Sequence, residues 1–362
     1  MKRKRLTVQQ VIYALLAAAF AYAVFSYRDQ LTDTAAVLQG GIWYLVLITL
    51  FVLAAAIYNQ ASLYASLYQI FELPQQRKHL LPLYLVTRFV MVAAPSGGLS
   101  GWVPFIQDAR KRDVGVGTVL IANLVYMILW YSAFALFLFV GLLHLFLAHD
   151  LQWFEISAAI ILLAVDAVMI SILFMSAFAP RLLRVTLDWV RRTLEKTWDW
   201  LNRPAPLKAH QVDRFIDDLE DAVAQMRRVG WRGMLRPIGH ALLNETLNLT
   251  MLYILARSFG LHLLFGVLVA AYSVSILFYI ISPTPGGIGF VEGALVLILT
   301  SLGVARARAT VLTIAYRGIT FWLPFILGFV ALRWASRTPL SDPEDNSSGG
   351  RANFQPMDDV GP

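Results

Sequence analysis

The sequence contains no cysteine, so disulfide bridges, thiolate metal sites and a cysteine nucleophile are excluded. Charge is scarce as well: only 15% of the 362 residues are charged, against about 25% in a typical soluble domain. No Gly-x-Ser-x-Gly, His-Glu-x-x-His or phosphate-binding Walker sequence occurs. We therefore expect no enzymatic activity and no cofactor.

Apolar residues make up 58% of the chain and fall into long runs. A helix needs about 20 apolar residues to cross a bilayer. Candidate spans are residues 9–26, 43–70, 116–142, 156–179, 237–257 and 309–334. The pattern predicts an all-α, polytopic helical membrane protein. The net charge of +7 is concentrated in loops beside these runs, which indicates membrane topology and anionic headgroups rather than nucleic acid.

The N-terminus combines a basic segment at residues 1–5 with an apolar run that follows it directly. This combination fits either a signal peptide, with a weak cleavage site at residues 21–23, or a first span held by a cytoplasmic basic anchor. The flanking charges favour the anchored span.

Two further apolar segments are interrupted by proline and glycine. Residues 80–94 run into a break at 94–102 and continue at 101–107, whereas residues 263–281 run into a break at 281–292 and continue at 290–303. Broken backbone at membrane depth is tolerated only where it is buried in protein or lines a wet cavity. A pair of such breaks at corresponding places in two halves indicates a transporter binding site.

The distribution of basic residues predicts the orientation, because cytoplasmic loops are enriched in lysine and arginine. It places both termini in the cytoplasm and turns each break into a re-entrant hairpin, entering from opposite membrane faces. The two halves then form inverted repeats. An alternative remains open, in which 263–281 and 290–303 are full spans.

The segment between the halves has a different composition. Apolar residues recur at helical spacing in residues 183–201 and 212–226, which predicts a cytoplasmic amphipathic helical hairpin over 180–236 within a membrane domain of 1–337. Residues 338–362 are predicted to be a disordered cytoplasmic tail. Asp217, Asp218 and Asp221 fit a magnesium-binding DDxxD pattern, although a solvated charged face explains them better.

Two arginines fall inside apolar segments, where ionisable residues are costly and default to functional hypotheses. Arg88 lies eight residues past Leu80, about 12 Å deep, and Arg317 lies eight residues into its predicted span. Both guanidinium groups are candidates for binding a phosphate or another anion. The alternative is structural ion pairs, with Glu245, Glu292 or Asp166 as partners.

The breaks supply further candidate binding groups. Free amides at a helix start can hold an anionic headgroup, and the candidates are Ser96, Gly97 and Gly98 in the first break and Gly286, Gly287 and Gly289 in the second. Glu292 follows Gly289 by three residues, so a helix cap is a better explanation than a proton relay. Asn244, Glu245 and Asn248 suggest the wall of a polar cavity.

Aromatic residues within the predicted spans are more typical of belts at the membrane interface than of a binding site. They are Tyr64, Tyr68, Tyr126 and Tyr131, with the tryptophans at 43, 102, 130 and 322.

Three features together resemble a known family. They are Ser-Pro-Thr-Pro-Gly-Gly-Ile-Gly-Phe-Val-Glu-Gly at residues 282–293, the pair Tyr316 and Arg317, and Phe-Trp-Leu-Pro at 321–324. The sequence resembles the transmembrane domain of lysylphosphatidylglycerol synthases, including flippase-like relatives that stand alone. The resemblance adds Tyr316 to the candidate substrate-binding residues. In the family the first break usually carries an acidic residue followed by a basic one, whereas residues 94–102 of this chain lack the acidic residue. Asp108 and Arg110, which lie further along the chain, are candidates for the same pair.

The resemblance implies lipid translocation, or an assisting role in lipid or polyprenyl-linked glycan handling, in a prokaryotic inner membrane. The soluble aminoacyl-transferring domain of full synthases is not recognised, so lysine transfer is not implied. We expect a flippase for an anionic phospholipid or a related lipid. Alternatives are a transferase acting on a lipid or polyprenyl phosphate and a non-catalytic partner of a lipid or glycan enzyme. Homo-oligomerisation or association with a lipid-modifying enzyme remains open.

Overall fold

The computed structural model describes residues 39–73, 77–93, 99–112, 114–147, 153–178, 181–182, 185–189, 192–193, 209–282 and 284–335. Within these ranges the chain is mostly helical and contains no strand. The predicted all-α, polytopic fold class is confirmed. The predicted first span at 9–26 and the predicted tail at 338–362 lie outside the described residues.

Ten α-helices have both ends within the described residues, and most of their bounds follow the apolar runs of the sequence. They are α1 (Trp43–Ile70), α2 (Arg77–Ala93), α3 (Trp102–Lys111), α4 (Val116–Leu147), α5 (Trp153–Phe178), α6 (Ala209–Ser258), α7 (Phe265–Ile281), α8 (Phe290–Ser301), α9 (Arg306–Arg317) and α10 (Leu323–Ala335). A π-helical turn at Gly318–Trp322 joins α9 to α10.

Three helical stretches are long and apolar enough to cross a membrane: Trp43–Ile70, Val116–His144 and Arg306–Trp334. The predicted span at 237–257 forms the C-terminal part of α6, where polar side chains interrupt the apolar sequence. The second arm of the predicted cytoplasmic hairpin is also helical, but it is joined to this span within α6. A single non-helical residue, Gly230 at φ 67°, separates the charged part from the apolar part.

Both predicted breaks occur between helices that pack against each other, α2 with α3 and α7 with α8. The second break contains a short 3₁₀ turn at Pro285–Gly287. Helix α8 has 12 residues and is about 18 Å long, well short of a hydrocarbon core of about 30 Å. Its length favours the hairpin over a full span. Entry and exit on one membrane face stays a prediction.

The two halves pack reciprocally. In the first half α1 and α4 flank the α2–α3 hairpin, and in the second half α6 and α9–α10 flank the α7–α8 hairpin. Helix α2 packs against α10, α7 packs against α4, and α1 packs against α6. If α1 corresponds to α6, α2 to α7 and α4 to α10, exchanging the halves turns the α2–α10 contact into the α7–α4 contact and leaves the α1–α6 contact in place. A pseudo-two-fold relation between repeats requires this correspondence.

Buried apolar side chains form two clusters that share α1 and α4. One cluster joins the N-terminal half of α1 and the C-terminal part of α4 to α6, α7, α8 and α9. The other joins the opposite ends of α1 and α4 to α2 and α3. The junction between the clusters therefore lies about halfway along two helices of membrane-spanning length.

Candidate functional site

A cavity of about 500 Å³ lies between the two clusters, and we call it the central cavity. Most of its wall comes from α1, α2, α4, α6, α7, α9 and the second break, and α3, α8 and α10 contribute one residue each. Seven of the predicted site residues line it: Arg88, Asn244, Glu245, Asn248, Gly286, Tyr316 and Arg317. The structure thus brings predicted residues from four separate segments of the chain into the wall of one cavity.

The other predicted site residues lie elsewhere. Gly287, Gly289 and Glu292 are not part of the cavity wall. The amide of Gly287 donates to the Thr284 carbonyl at 3.1 Å, and the amide of Gly289 donates to Glu292 at 2.7 Å. These two amides are thus used within the protein, which favours a structural role over the predicted anion cradle. Ser96, Gly97 and Gly98 lie outside the described residues.

Arg317 is a buried structural connector as well as a cavity residue. Its Nε donates to Glu292 at 2.6 Å, and its Nη2 donates to the Gly286 carbonyl at 2.9 Å. The guanidinium carbon also lies 4.1 Å from the centre of the Phe321 ring. Because a carboxylate, a carbonyl and an aromatic face already contact it, much of its charge is compensated within the protein.

Glu292 has the capping geometry that the sequence predicted. It is the third residue of α8, and its Oε2 accepts from the Gly289 amide just before the helix. Its Oε1 accepts from Arg317. Each carboxylate oxygen therefore has a strong donor, and the negative charge lies at the positive end of the helix dipole.

Arg88 presents a guanidinium to the central cavity from α2. Its side chain is within hydrogen-bonding reach of the Tyr279 hydroxyl. Across the described part of the chain, no carboxylate lies within ion-pair distance of Arg88. The neighbouring Thr87 is 5% exposed and also lines the cavity, and its hydroxyl has no hydrogen-bond partner among the described residues. The cavity wall thus contains a guanidinium group that can bind an anion and, next to it in sequence, a buried hydroxyl without a protein partner among the described residues.

Glu245 is the acidic residue of the cavity wall, and it is completely buried. Its Oε1 accepts from the Asn244 amide at 3.0 Å, and its Oε2 accepts from the Tyr272 hydroxyl. The Trp130 side chain is a further donor. All three donors are neutral, so this carboxyl group differs from Glu292 in having no cation beside it.

Aromatic side chains form much of the remaining wall, which corrects a prediction. Their hydropathic setting suggested membrane-interface belts for Tyr64, Tyr126, Tyr131, Trp102 and Trp130, yet all five line the central cavity. The Tyr64 and Tyr126 rings stack with centres 4.3 Å apart, and the Tyr126 hydroxyl donates to Gln60 at 3.0 Å.

Of the other aromatic residues in that prediction, Trp43 and Trp322 are exposed, as a membrane-interface belt requires, whereas Tyr68 is buried. A usable signal was present in the sequence, because Gln60 and Tyr64, like Tyr126 and Trp130, are separated by four residues. This spacing places each polar–aromatic or aromatic pair on one helix face.

A charged cluster joins the outer ends of α2 and α3, away from the cavity. His79 Nε2 lies 2.7 Å from Asp108 Oδ1, and Arg112 Nε donates to the same oxygen at 3.2 Å. Arg112 Nη2 is also 2.7 Å from His79 Nε2. A single ring nitrogen cannot donate to one group and accept from the other, and the carboxylate makes donation to Asp108 the favoured arrangement.

This cluster affects the ionisation of Asp108. Partial burial raises the pKa of the Asp108 carboxyl, but the hydrogen bond and charge of His79, together with Arg112, outweigh burial and hold that pKa below its usual value. Arg110, which the family resemblance suggested as the basic counterpart, is exposed, and the ion pair is formed by Arg112 instead.

The DDxxD segment lies in the charged part of α6. The described residues contain no group of three or more histidine, aspartate or glutamate side chains arranged to hold a metal ion. The Asp218 carboxylate lies against Gly117, within the first turn of α4: a Cβ built on Gly117 would come within 1.5 Å of it. A carboxylate at a helix start is favoured by the helix dipole, which gives Asp218 a structural explanation.

Comparison with known proteins agrees with the architecture. The family model described as the lysylphosphatidylglycerol synthase TM region matches residues 10–328, nearly the whole chain. A comparison with curated proteins found no match.

Proposed function

Because the chain belongs to the lysylphosphatidylglycerol synthase TM-region family, a membrane protein family with a lipid-related function, we propose that it is a flippase for an anionic phospholipid or a related lipid. The headgroup passes through the central cavity, where Arg88 binds its phosphate. The lipid tails stay in the bilayer while the headgroup crosses. The protein acts without catalysing a covalent step.

The observation that carries this proposal is a guanidinium without a carboxylate partner in the described chain, facing a cavity halfway along membrane-spanning helices. A cation at membrane depth without a counter-ion is costly, and such a residue is by default a candidate for function. A phosphate can accept two parallel hydrogen bonds from a guanidinium. The unpartnered Thr87 hydroxyl adjoins the same space and supplies a third donor.

The reciprocal packing of the halves supports a transport cycle. Each hairpin packs against the last helix of the opposite half, so a rocking motion of one half against the other would change both sides of the cavity together. Rocking of repeats around a central site is a common route to alternating access. Arg317 is held by Glu292 and the second break, and it serves mainly to fix the shape of the site.

The setting of the protein is also part of the proposal. The two termini lie in the cytoplasm, the membrane is the prokaryotic inner membrane, and the partners are lipids with anionic headgroups. The sign of the loop charges supports this orientation. A second copy of the chain or a lipid-modifying enzyme is the protein partner that this role would suit.

The test is movement of a labelled anionic phospholipid between leaflets of proteoliposomes. The wild-type protein should accelerate movement over protein-free vesicles, and Arg88→Ala should lose that acceleration. The matched control is Arg232→Ala, since Arg232 is an exposed arginine of α6 that contacts Trp231. Equal rates for wild-type protein and a folded Arg88→Ala variant would contradict the role of Arg88. No acceleration by the wild-type protein would contradict the flippase itself.

A further inference from the structure

Glu245 is the acidic side chain that lines the central cavity, and its surroundings are unusual for a buried acid. Its exposure is 0%, and its donors are Asn244, Tyr272 and Trp130. No lysine, arginine or histidine of the described chain forms an ion pair with it. A carboxylate placed in a membrane protein interior without a cation is costly and marks a functional position.

The other acids of the membrane region show what is special about this one. Glu292 has both a cation and a helix-start amide as partners, and it lies outside the cavity wall. Asp166, on α5, is buried and accepts from Ser132 at 3.0 Å, but it too lies outside the cavity wall. Glu245 alone of these three combines burial, neutral donors and a place in the wall of the space through which a headgroup would pass.

The hydrogen bond with Tyr272 allows two protonation states without a rearrangement. A phenolic hydroxyl can donate to a carboxylate or accept from a protonated carboxyl group. The Tyr272 hydroxyl therefore remains bonded to Glu245 whether or not the acid carries a proton. Asn244 and Trp130 donate in either state. The site can thus hold a proton in a closed, dry cavity and lose it when water enters.

The groups around Glu245 come from every helix packed against α6 and from α2 across the cavity. The nearby or cavity-lining titratable and charged groups are Tyr64 on α1, Tyr84 and Arg88 on α2, Tyr126 and Tyr131 on α4, Asp166 on α5, Tyr272 and Tyr279 on α7, and Tyr316 and Arg317 on α9. The two arginines are the cations of this set. Arg317 is bonded to Glu292, which leaves Arg88 as the cation whose charge a bound phosphate would compensate.

From this geometry we infer that Glu245 is a proton-binding site that couples headgroup movement through the central cavity to proton movement across the membrane. One proton from water on one side binds a carboxylate oxygen of Glu245 in one access state, and the same proton leaves to water on the other side in the opposite state. No covalent bond other than this O–H bond forms or breaks. The inference rests on the proposed flippase function and names its energy source.

The experiment uses full-length protein in proteoliposomes that contain a trapped pH indicator. Labelled anionic phospholipid is added to the outer leaflet, and lipid movement and luminal pH are recorded together. The wild-type protein should show a proton flux that rises at least fivefold when the lipid is added. Glu245→Gln, which keeps the shape but not the ionisation, should reduce the lipid-dependent proton flux to that of protein-free vesicles. Asp166→Asn is the matched control and should keep the flux.

A second measurement covers the case in which Glu245→Gln does not move lipid at all. Infrared difference spectra of folded protein between neutral and acid pH should show the carbonyl band of a newly protonated carboxyl group. The other carboxyl groups also give such bands on acidification, so the contribution of Glu245 is the part of the wild-type band that is missing from the Glu245→Gln spectrum. That part should be retained in Asp166→Asn. Thermal unfolding shows that each variant is folded.

The outcomes separate the two proposals. Lipid movement without lipid-dependent proton flux in the wild type would overturn the coupling and leave the flippase intact. Retained proton flux in Glu245→Gln, or an unchanged infrared band in that variant, would overturn it as well. Loss of the flux in Asp166→Asn but not in Glu245→Gln would show that Asp166 binds the proton, and it would overturn the inference for Glu245. Absence of any lipid movement by the wild type would instead contradict the proposed function.

Discussion

Arg317 and Glu292 form an ion pair of 2.6 Å, and the same guanidinium donates to the Gly286 carbonyl at 2.9 Å. These contacts join the end of α9 to the start of α8 and to the 3₁₀ turn of the second break. A backbone carbonyl freed by the break is thereby satisfied inside the protein, as the absence of water in the bilayer core requires. The pair is therefore the structural support of the break.

The first prediction concerns this support. Replacing Arg317 by alanine should destabilise the folded protein by about 2 kcal/mol, because it leaves a carboxylate and a carbonyl without their donor. Glu292→Gln should cost less, and the double variant should cost less than the sum of the two, since both changes remove the same contact. Thermal unfolding of the three variants in one detergent measures the coupling. Strictly additive effects would show that the two residues act independently.

The second prediction concerns the contact between the halves. A Cβ added to Gly328 on α10 would lie 2.2 Å from the Leu85 carbonyl oxygen on α2, and backbone cannot move aside as a flexible side chain can. Gly328→Ala should therefore destabilise the protein by about 1–3 kcal/mol. Gly239→Ala is the matched control, because no atom lies within 4 Å of its added Cβ. That control should be neutral or slightly stabilising. Equal unfolding temperatures for the two variants would argue against close α2–α10 packing.

How much of this architecture follows from the sequence depends on the type of signal. Length and hydropathy predicted α1 to the residue, and the proline and glycine breaks predicted where helices end, because these signals are local. The union of the amphipathic segment and the following span in α6 was not predicted. Polar and charged residues over 209–236 suggested a separate element. In the structure the interruption lies at Gly230, and the helix that follows continues through Pro237, although proline is the least favourable residue inside a helix.

The site was predicted in part for a similar reason. Arg88, Glu245 and Arg317 were identifiable because ionisable residues are rare in apolar segments. Their partners were not identifiable, since the choice of Glu292 over Glu245 as the counter-ion of Arg317 depends on the three-dimensional arrangement of α8 and α9. The aromatic wall was assigned to the membrane interface because a tyrosine in a span has the same local sequence context in either place.

The third prediction tests the unpartnered hydroxyl in the cavity. Thr87→Val removes a buried hydroxyl without a partner and should stabilise the fold by about 1 kcal/mol, yet slow lipid movement because the phosphate loses a donor. Thr313→Val is the matched control, since its hydroxyl is also buried without a described partner but does not line the cavity. It should stabilise the fold and leave lipid movement unchanged. The same transport rate in both variants would remove Thr87 from the site.

The fourth prediction concerns pH and the cluster at the outer ends of α2 and α3. The pKa of Asp108 is lower in the folded protein than its ordinary value of 3.8, chiefly through His79 and Arg112 acting against burial. Ionised Asp108 therefore stabilises the folded protein at any pH above the pKa that this carboxyl group has in the unfolded chain. The stabilisation is lost as the pH falls through the lower pKa of the folded protein.

The wild-type protein should therefore lose this contribution on acidification from about pH 5 downwards. Asp108→Asn should have a lower unfolding temperature than the wild type at neutral pH, and the difference should shrink as the pH falls. Unfolding temperatures measured in a pH series provide the check. A constant difference between the two proteins at every pH would mean that ionised Asp108 contributes nothing through this cluster.

The most direct test of the account is the position of a lipid phosphate in the wild-type protein in native lipid. An experimental structure in nanodiscs should show phosphate density within hydrogen-bonding distance of the Arg88 guanidinium in the central cavity, and Arg88→Ala should lose that density while retaining the cavity. A cavity without headgroup density in the wild-type protein, with lipids confined to the outer surface, would contradict the claim that headgroups pass between the two halves.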